Sequence, residues 1–132
     1  MIKIEENDMF SLVVYPELRT IHHTLHKMIS GQASRDLFLN SAKAFVRYNC
    51  NKWLSDDRNA TVPNPEDMEF GRKHWEPVVL EAGWKYWALI PSKKLVAEMD
   101  MNRFVTRYES LGVTVELFSD VESALRWLKW QD

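Results

Sequence analysis

The apolar residues of this chain repeat with a period of two in some segments and with a helical period in others, and this alternation limits the possible folds most. In residues 9–15, alternate apolar residues fall on the same face if the segment is a strand. Residues 18–26 are rich in β-branched residues, which favour strands. Only the turn signal Pro16-Glu17 separates the two segments, so an antiparallel hairpin is predicted.

The rest of the chain alternates short strands with helices. Strands are predicted at 52–55, 85–90 and 113–118, and helices at 32–48, 64–82, 93–99, 101–111 and from 120 onward. Asn64 followed by Pro65 is a favoured helix start. Pro77 lacks an N–H group, so a kink or break is expected there. Ser119 and Glu122 match a capping box, which predicts Ser119 as the N-cap of the last helix.

The predicted order of elements is therefore β-β-α-β-α-β-α-β-α. Such an alternation is typical of α/β domains with a largely parallel sheet and right-handed crossovers. Because the hairpin adds one antiparallel pairing, the sequence predicts an α/β sandwich around a mixed, mostly parallel sheet of about five strands. A length of 132 residues without an internal repeat favours a single domain over residues 1–132.

Charge and cysteine content exclude several classes of function. The formal net charge is −2 and there is no basic block, so the electrostatic signature of a nucleic-acid-binding protein is missing. Cys50 is the only cysteine, which excludes an intrachain disulfide and a cysteine-based zinc site and favours a reducing cytoplasm. The acidic N-terminal residues are unlike a signal peptide, and no apolar run approaches the ~18 residues of a transmembrane helix.

Three histidines, His22, His23 and His26, raise the question of a metal site. On a strand, His22 and His23 point to opposite faces. His22 and His26 share a face but lie about 13 Å apart at roughly 3.3 Å per residue. No two of them are then able to share one zinc ion, whose nitrogen ligands lie at about 2 Å. We predict no metal ligand and no cofactor, and we interpret these histidines as a polar or partly buried strand face.

Polar residues directly after the strand 52–55 are the main candidates for a site. Together with nearby aromatic residues, the candidate set is Trp53, Ser55, Asp56, Asp57, Arg58 and Trp87. Sites of α/β domains usually lie where strands end. These residues are therefore predicted to bind a small ligand or a partner at the C-terminal ends of the strands 52–55 and 85–90. An ordinary polar loop is the alternative, because Asp is common in turns and Arg58 beside two acids can form a local ion pair.

Catalysis has the least support in the sequence. Asp56 and Asp57, with His74 one helix later, are candidate acid–base residues, but such chemistry requires a cleft beside a substrate. Ser55 has no Gly-x-Ser-x-Gly context and is not predicted to be a nucleophile. The four glycines are scattered, which leaves neither a phosphate loop nor a dinucleotide fingerprint.

Aromatic residues are unusually frequent, with six Trp, six Phe and four Tyr. The densest patch is Trp84-Lys85-Tyr86-Trp87, and core packing is its more ordinary explanation. An exposed aromatic surface is the alternative. Trp84, Trp127 and Trp130 are then the predicted interface residues for a protein partner or for a second copy of the chain.

Two stretches of the chain resemble the SpoIIAA-like fold and, within it, the STAS/SEC14-like small bacterial domains. One is Trp53-Leu54-Ser55-Asp56-Asp57-Arg58, and the other is Val113-Thr114-Val115-Glu116-Leu117-Phe118-Ser119-Asp120 with Glu122, Ala124, Leu125, Trp127 and Leu128. In topology, the resemblance covers nearly the whole chain. It implies a cytoplasmic regulatory domain of the STAS-like type.

The phosphorylation switch of that fold has no counterpart here. Anti-sigma-factor antagonists carry an Asp-Ser-Ser-Gly-like stretch with a phosphorylatable Ser at the start of a helix. The corresponding helix of this chain begins Asn64-Pro65-Glu66-Asp67, and Ser55 precedes Asp56 in the reverse order at a strand end. Relatives that enclose a lipid are larger, so little length is expected to remain for such a pocket.

The sequence therefore favours a non-enzymatic regulatory or protein-interaction module that self-associates. The alternative is a small-molecule or lipid-binding domain with its site at the strand ends described above. An enzyme using Asp56, Asp57 or His74 is the third hypothesis.

Overall fold

Six strands form one mixed sheet, and helices pack on both of its faces. The structure, a computed structural model, describes all residues from 1 to 132. The strands are β1 (Ile2–Glu6), β2 (Phe10–Tyr15), β3 (Thr20–Leu25), β4 (Lys52–Asp57), β5 (Tyr86–Pro91) and β6 (Thr114–Leu117). The helices are α1 (Gln32–Arg47), α2 (Pro65–His74), α3 (Glu76–Glu81), α4 (Lys93–Glu98), α5 (Met101–Ser110) and α6 (Val121–Lys129).

The strands lie in the sheet in the order in which they occur in the chain. β1, β2 and β3 pair antiparallel, whereas β3 to β6 are parallel neighbours. The predicted α/β class with a mixed sheet is thus confirmed, as is the antiparallel hairpin of β2 and β3. Each crossover between parallel strands moves one position in the same direction, and right-handed crossovers then place α1 to α5 on one face. None of the helices is both long and apolar enough to cross a membrane.

The sequence predicts about five strands, and β1 is the strand that it does not predict. This edge strand carries charges at Lys3, Glu5 and Glu6, and its register against β2 shifts between Lys3 and Glu5. Charged residues and bulges are common on edge strands, where they oppose pairing with other chains. The same features obscure the alternating pattern by which a strand is recognised in a sequence.

Strand β4 continues to Asp57, whereas the prediction ended it at residue 55 and began a loop at residue 56. Asp56 and Asp57 pair in register with Ile90 and Pro91 of β5. Asp is depleted in strands, and this propensity ended the predicted strand too early. Pairing with the neighbouring strand overrides the propensity here, and it places both carboxylates on the sheet itself.

The helix predicted over 64–82 is broken as expected near Pro77. Helix α2 ends at His74 and α3 begins at Glu76, so Pro77 lies in the first turn of α3, where its missing N–H has no helical partner. At the other end, the Asn64 side chain accepts a hydrogen bond from the backbone N–H of Asp67 at 2.8 Å, which confirms the predicted cap.

The predicted N-cap of the last helix was wrong by one residue. Asp120 caps α6, because its carboxylate accepts from the backbone N–H of Ser123 at 2.8 Å. Ser119 lies outside the helix. Asp and Ser are about equally good N-caps, so composition alone does not separate the two adjacent positions.

Alternation along β4 gives the sheet two different faces. Trp53, Ser55 and Asp57 point toward α1 to α5, and we name this side the cavity face. Leu54 and Asp56 point to the opposite side, which we name the α6 face. The small core of the α6 face consists of Leu54, Ala88, Ile90, Ala124 and Leu128.

The three aromatic residues predicted for an interface occupy different environments. Trp84 is only 3% exposed and packs in the main core, with its ring centroid 5.0 Å from that of Trp87. Its position just before β5 turns it inward, so its assignment to a surface is wrong. Trp127 is partly buried against Tyr86, at 6.1 Å between centroids. Trp130 follows α6 and is 78% exposed.

Candidate functional site

A cavity of about 280 Å³ lies between the cavity face of the sheet and helices α1 to α5. Its floor consists of side chains near the C-terminal ends of three parallel strands: His23 and Leu25 of β3, Trp53, Ser55 and Asp57 of β4, and Trp87, Leu89 and Pro91 of β5. These ends are where α/β folds usually bind ligands. The volume is close to the lower end for small-molecule pockets.

The remaining wall of the cavity is mainly apolar. Helices and loops supply Phe38, Met68, Trp75, Met101, Phe104 and Tyr108 among other residues. An apolar cavity of about 150 Å³ holds one benzene ring. The present cavity therefore has room for roughly two ring-sized groups.

A histidine and an aspartate form the central polar group of the floor. Nε2 of His23 lies 2.7 Å from Oδ1 of Asp57, and the indole N–H of Trp53 donates to Nδ1 of His23 at 3.0 Å. An indole nitrogen is only a donor. Nδ1 of His23 must therefore carry no proton, and Nε2 donates its proton to Asp57. The hydrogen bonds thus select one neutral tautomer of His23.

Ser55 lies on the same floor but is bonded elsewhere. Its hydroxyl oxygen accepts from the indole N–H of Trp87 at 2.8 Å. No hydrogen bond joins Ser55 to His23, whose two ring nitrogens are already engaged by Trp53 and Asp57. Ser55, His23 and Asp57 are therefore not arranged as a nucleophile, a base and an orienting acid.

A second polar group closes the cavity on its helical side. Arg107 of α5 donates from both terminal nitrogens to the buried carboxylate of Glu76, at 2.8 and 3.2 Å, and the hydroxyl of Tyr108 donates to the same carboxylate at 3.0 Å. Burial, followed by the negative charge of Glu76, raises the pKa of Tyr108 to about 12. The cluster holds α3 against α5 and is electrically balanced.

Trp75 is the one lining residue with an unsatisfied buried donor. It lies between α2 and α3, is 7% exposed, and its indole N–H has no acceptor in the protein. A buried donor without a partner costs about 1–3 kcal/mol. Its rings pack edge-to-face on Trp53, at 5.2 Å between centroids, so the position is fixed by the core.

The structure divides the predicted site residues between the two faces of the sheet. Trp53, Ser55, Asp57 and Trp87 line the cavity together. Asp56 points to the α6 face because side chains alternate along a strand.

Asp56 and Arg58 form an ion pair that is separate from the cavity. Arg58 donates to both carboxylate oxygens of Asp56, at 2.9 and 2.7 Å. Burial alone would raise the pKa of Asp56, but hydrogen bonds from Arg58 outweigh it and lower the pKa below its usual value. This geometry matches the local ion pair that the sequence analysis held as the alternative.

The other candidate residues lie apart from the cavity floor. His74 is exposed at the end of α2, with its ring 4.6 Å from that of Phe70, and does not line the cavity.

His22 is buried on the α6 face between the hydroxyls of Tyr15 and Thr24, at 3.1 and 3.2 Å. Burial, with a smaller contribution from His23, lowers the pKa of His22 to about 4.

Sequence reasoning missed His23, Trp75, Glu76 and Arg107 as members of the site. The strand period did predict that His23 and His22 face opposite ways, and it placed His23 on the face of Ile21. Nothing local indicated that this face borders a cavity. Trp75, Glu76 and Arg107 come from helices whose distance from the sheet is set by packing.

Comparisons with known proteins give no further indication of function, since no family model, curated protein or solved structure matches the chain.

Proposed function

We propose that this chain binds a small, predominantly apolar organic molecule in the cavity beneath α1 to α5. The observation that carries the proposal is the cavity itself: about 280 Å³, walled mainly by apolar side chains, with a few polar groups on its floor. That combination is the usual character of a small-molecule site. The proposal corresponds to the second of the three functions that the sequence suggested.

The lining supports a bound molecule better than an empty core. Protein interiors are packed with few voids larger than a water molecule, and a large apolar void costs stability. An occupant would therefore supply the contacts that the apolar wall of the cavity lacks.

Binding fits the geometry better than hydrolysis does. Ser55 accepts from Trp87, and both nitrogens of His23 are engaged, so neither side chain is poised to activate the other. The third hypothesis, an enzyme using Asp56, Asp57 or His74, predicted these groups together in a buried concave cluster, and His74 is exposed outside the cavity. The two aspartates of that hypothesis lie on opposite faces of the sheet.

The SpoIIAA-like assignment remains a proposal about the fold. Its support is the hairpin followed by parallel strands in sequential order, with a helical crossover after each. The resemblance suggested little room for a pocket, yet the cavity exists. The long connections 58–85 and 92–113 each break into two short helices, which border the cavity as separate walls instead of one packed helix.

A panel of small aromatic and aliphatic compounds tests the proposal by thermal denaturation, because a ligand that binds only the folded state raises Tm. The test variant is Ser41→Leu, at a buried position, and the surface control is Ser110→Leu. Both serines lie in helices and donate to the backbone carbonyl three residues earlier, but only Ser41 lines the cavity. We expect Ser41→Leu to abolish the ligand-induced rise in Tm and Ser110→Leu to retain it. No rise with any compound in the wild-type protein would contradict the proposal.

A protein-interaction module is the second candidate, and one observation favours it. Trp130 is 78% exposed, and Leu117 of the edge strand β6 is also exposed. Exposed tryptophan is frequent at contact sites between proteins. Light scattering of the wild type and of Trp130→Ser tests self-association. We expect a dimer that Trp130→Ser converts to a monomer, and a monomeric wild type would remove this candidate.

A further inference from the structure

The charges in the cavity wall indicate which kind of small molecule fits, and this inference rests on the proposed function. The charged side chains of the wall are Asp57, Arg72, Glu76 and Arg107. Glu76 and Arg107 neutralise each other in a bidentate pair at 2.8 and 3.2 Å. Neither Asp57 nor Arg72 forms an ion pair with a charged side chain.

Asp57 carries a negative charge that no neighbouring cation balances. His23 donates to Oδ1 of Asp57 as a neutral ring, because the indole N–H of Trp53 occupies Nδ1. The adjacent Arg58 is bound to Asp56 on the opposite face of the sheet. Oδ2 of Asp57 receives no hydrogen bond from any protein donor, so it is free to accept one.

Arg72 does not serve as the missing counter-ion. It forms no ion pair with Asp57, and although it borders the cavity, the residue is exposed, so water screens its guanidinium strongly. The Asp57 side chain, in contrast, is 18% exposed and forms part of the floor. A cation bound at Asp57 would keep some of its water, which lowers the desolvation cost of burying it.

The aromatic side chains of the cavity favour the same charge. Trp53 and Trp87 line the floor, and Phe104 and Tyr108 of α5 border the same cavity while packing directly on Trp87, with the Trp87 and Tyr108 ring centroids 4.9 Å apart. Aromatic faces attract organic ammonium groups through their quadrupoles. Aromatic side chains near the unbalanced carboxylate of Asp57 suit a cation at this part of the floor, whereas Arg72, the other unpaired charge of the lining, is exposed to water.

We propose that the cavity selects small organic cations: a protonated amine bound to Asp57, attached to an apolar body that lies among the aromatic side chains. The ammonium donates to Oδ2 of Asp57. The body lies along the apolar lining of the cavity. A molecule of the same shape with a carboxylate in place of the amine meets the like charge of Asp57 and is rejected.

Three probes of nearly equal size test the choice of charge: 3-phenylpropan-1-amine, 3-phenylpropan-1-ol and 3-phenylpropanoate. Their affinities are measured by calorimetry with the wild type, Asp57→Asn and the control Glu69→Gln. The amide introduced by Asp57→Asn keeps an oxygen that accepts from His23, whereas Glu69 is an exposed carboxylate of α2 outside the cavity. We expect the amine to bind about tenfold more tightly than the alcohol, and the carboxylate to bind most weakly.

The variants separate the contribution of Asp57 from general affinity. Asp57→Asn should remove the preference for the amine and leave the affinity for the alcohol unchanged, and Glu69→Gln should retain the preference.

If Asp57→Asn fails to fold, the wild-type protein provides a second test. Its ratio of amine to alcohol affinity should fall as salt is raised, because salt screens an ion pair. An alcohol that binds as tightly as the amine, or a ratio that salt does not change, would overturn the inference and leave the proposed binding function intact. Absence of binding by all three probes also overturns it, and the wider compound panel then decides separately on the binding function.

Discussion

The indole N–H of Trp53 donates to Nδ1 of His23 at 3.0 Å, and this bond determines the protonation state of the histidine. With Nδ1 an acceptor, Nε2 carries the proton and donates to Asp57 at 2.7 Å. The carboxylate thus faces the cavity with its charge unbalanced. One core tryptophan thereby sets the electrostatic character of the cavity floor.

The tautomer of His23 is directly measurable. Nitrogen-15 chemical shifts should show Nε2 protonated and Nδ1 unprotonated at neutral pH. Trp53→Phe removes the donor and part of a buried ring, so we expect a loss of about 2 kcal/mol in the free energy of unfolding. A proton on Nδ1 in the wild type would contradict the geometry of the site.

His22 should make the protein less stable in mild acid. Burial lowers the pKa of His22 from 6.5 to about 4, so the unfolded chain takes up the proton first as the pH falls. Stability is then complete above the unfolded pKa and is lost between about pH 6.5 and about pH 4, by on the order of 3 kcal/mol. Urea denaturation at several pH values measures the loss. His22→Gln should reduce it, and an unchanged pH profile in the variant would refute the assignment.

Glu76 should be important for stability and for the ionisation of Tyr108. Glu76→Gln leaves Arg107 without its charge partner, and we expect a loss of about 1–3 kcal/mol, reduced from that of a fully buried pair because Arg107 is partly exposed. The pKa of Tyr108, about 12 in the wild type, should fall but stay above 10.0, because burial remains the larger cause. Tyrosinate absorbance during alkaline titration reports it. A variant with an unchanged high-pH titration would show that Glu76 does not act on Tyr108.

Gly71 controls the size of the cavity through Phe38. A Cβ atom at position 71 would lie 2.7 Å from Cζ of Phe38, and both residues line the cavity. Gly71→Ala should push the ring tip into the cavity, which offsets most of the gain in helix propensity. We expect the unfolding free energy to change by less than about 1 kcal/mol and the affinity for 3-phenylpropan-1-ol to fall about tenfold. Full affinity with unchanged stability would show that the ring moves elsewhere.

The sequence predicts those elements of the fold well that depend on residues close together in the chain. The hairpin of β2 and β3 and the cap at Asn64 follow from short-range chemistry, so the sequence was sufficient for them. The charged edge strand β1 and the last two residues of β4 depend on pairing with a neighbour. Their own propensities oppose a strand, and no local rule reveals the partner.

The candidate site was only half visible in the sequence for a related reason. Trp53 was selected within the predicted strand and Asp57 directly after it, so the strand period was not applied to separate Asp57 from Asp56. The error was to treat Asp56 and Arg58 as part of the same site, since the strand was predicted to end before them. The cavity depends on where the broken helices α2 to α5 lie, and that position is set by long-range packing.

The claim that the cavity binds a small molecule is tested most directly by locating a bound probe. Intermolecular nuclear Overhauser effects between 3-phenylpropan-1-ol and protein methyl groups report contacts at atomic resolution. The account predicts contacts to Leu37, Leu89 and Met101, which line the cavity. Contacts only to exposed groups near Trp130, with none to these three residues, would contradict it.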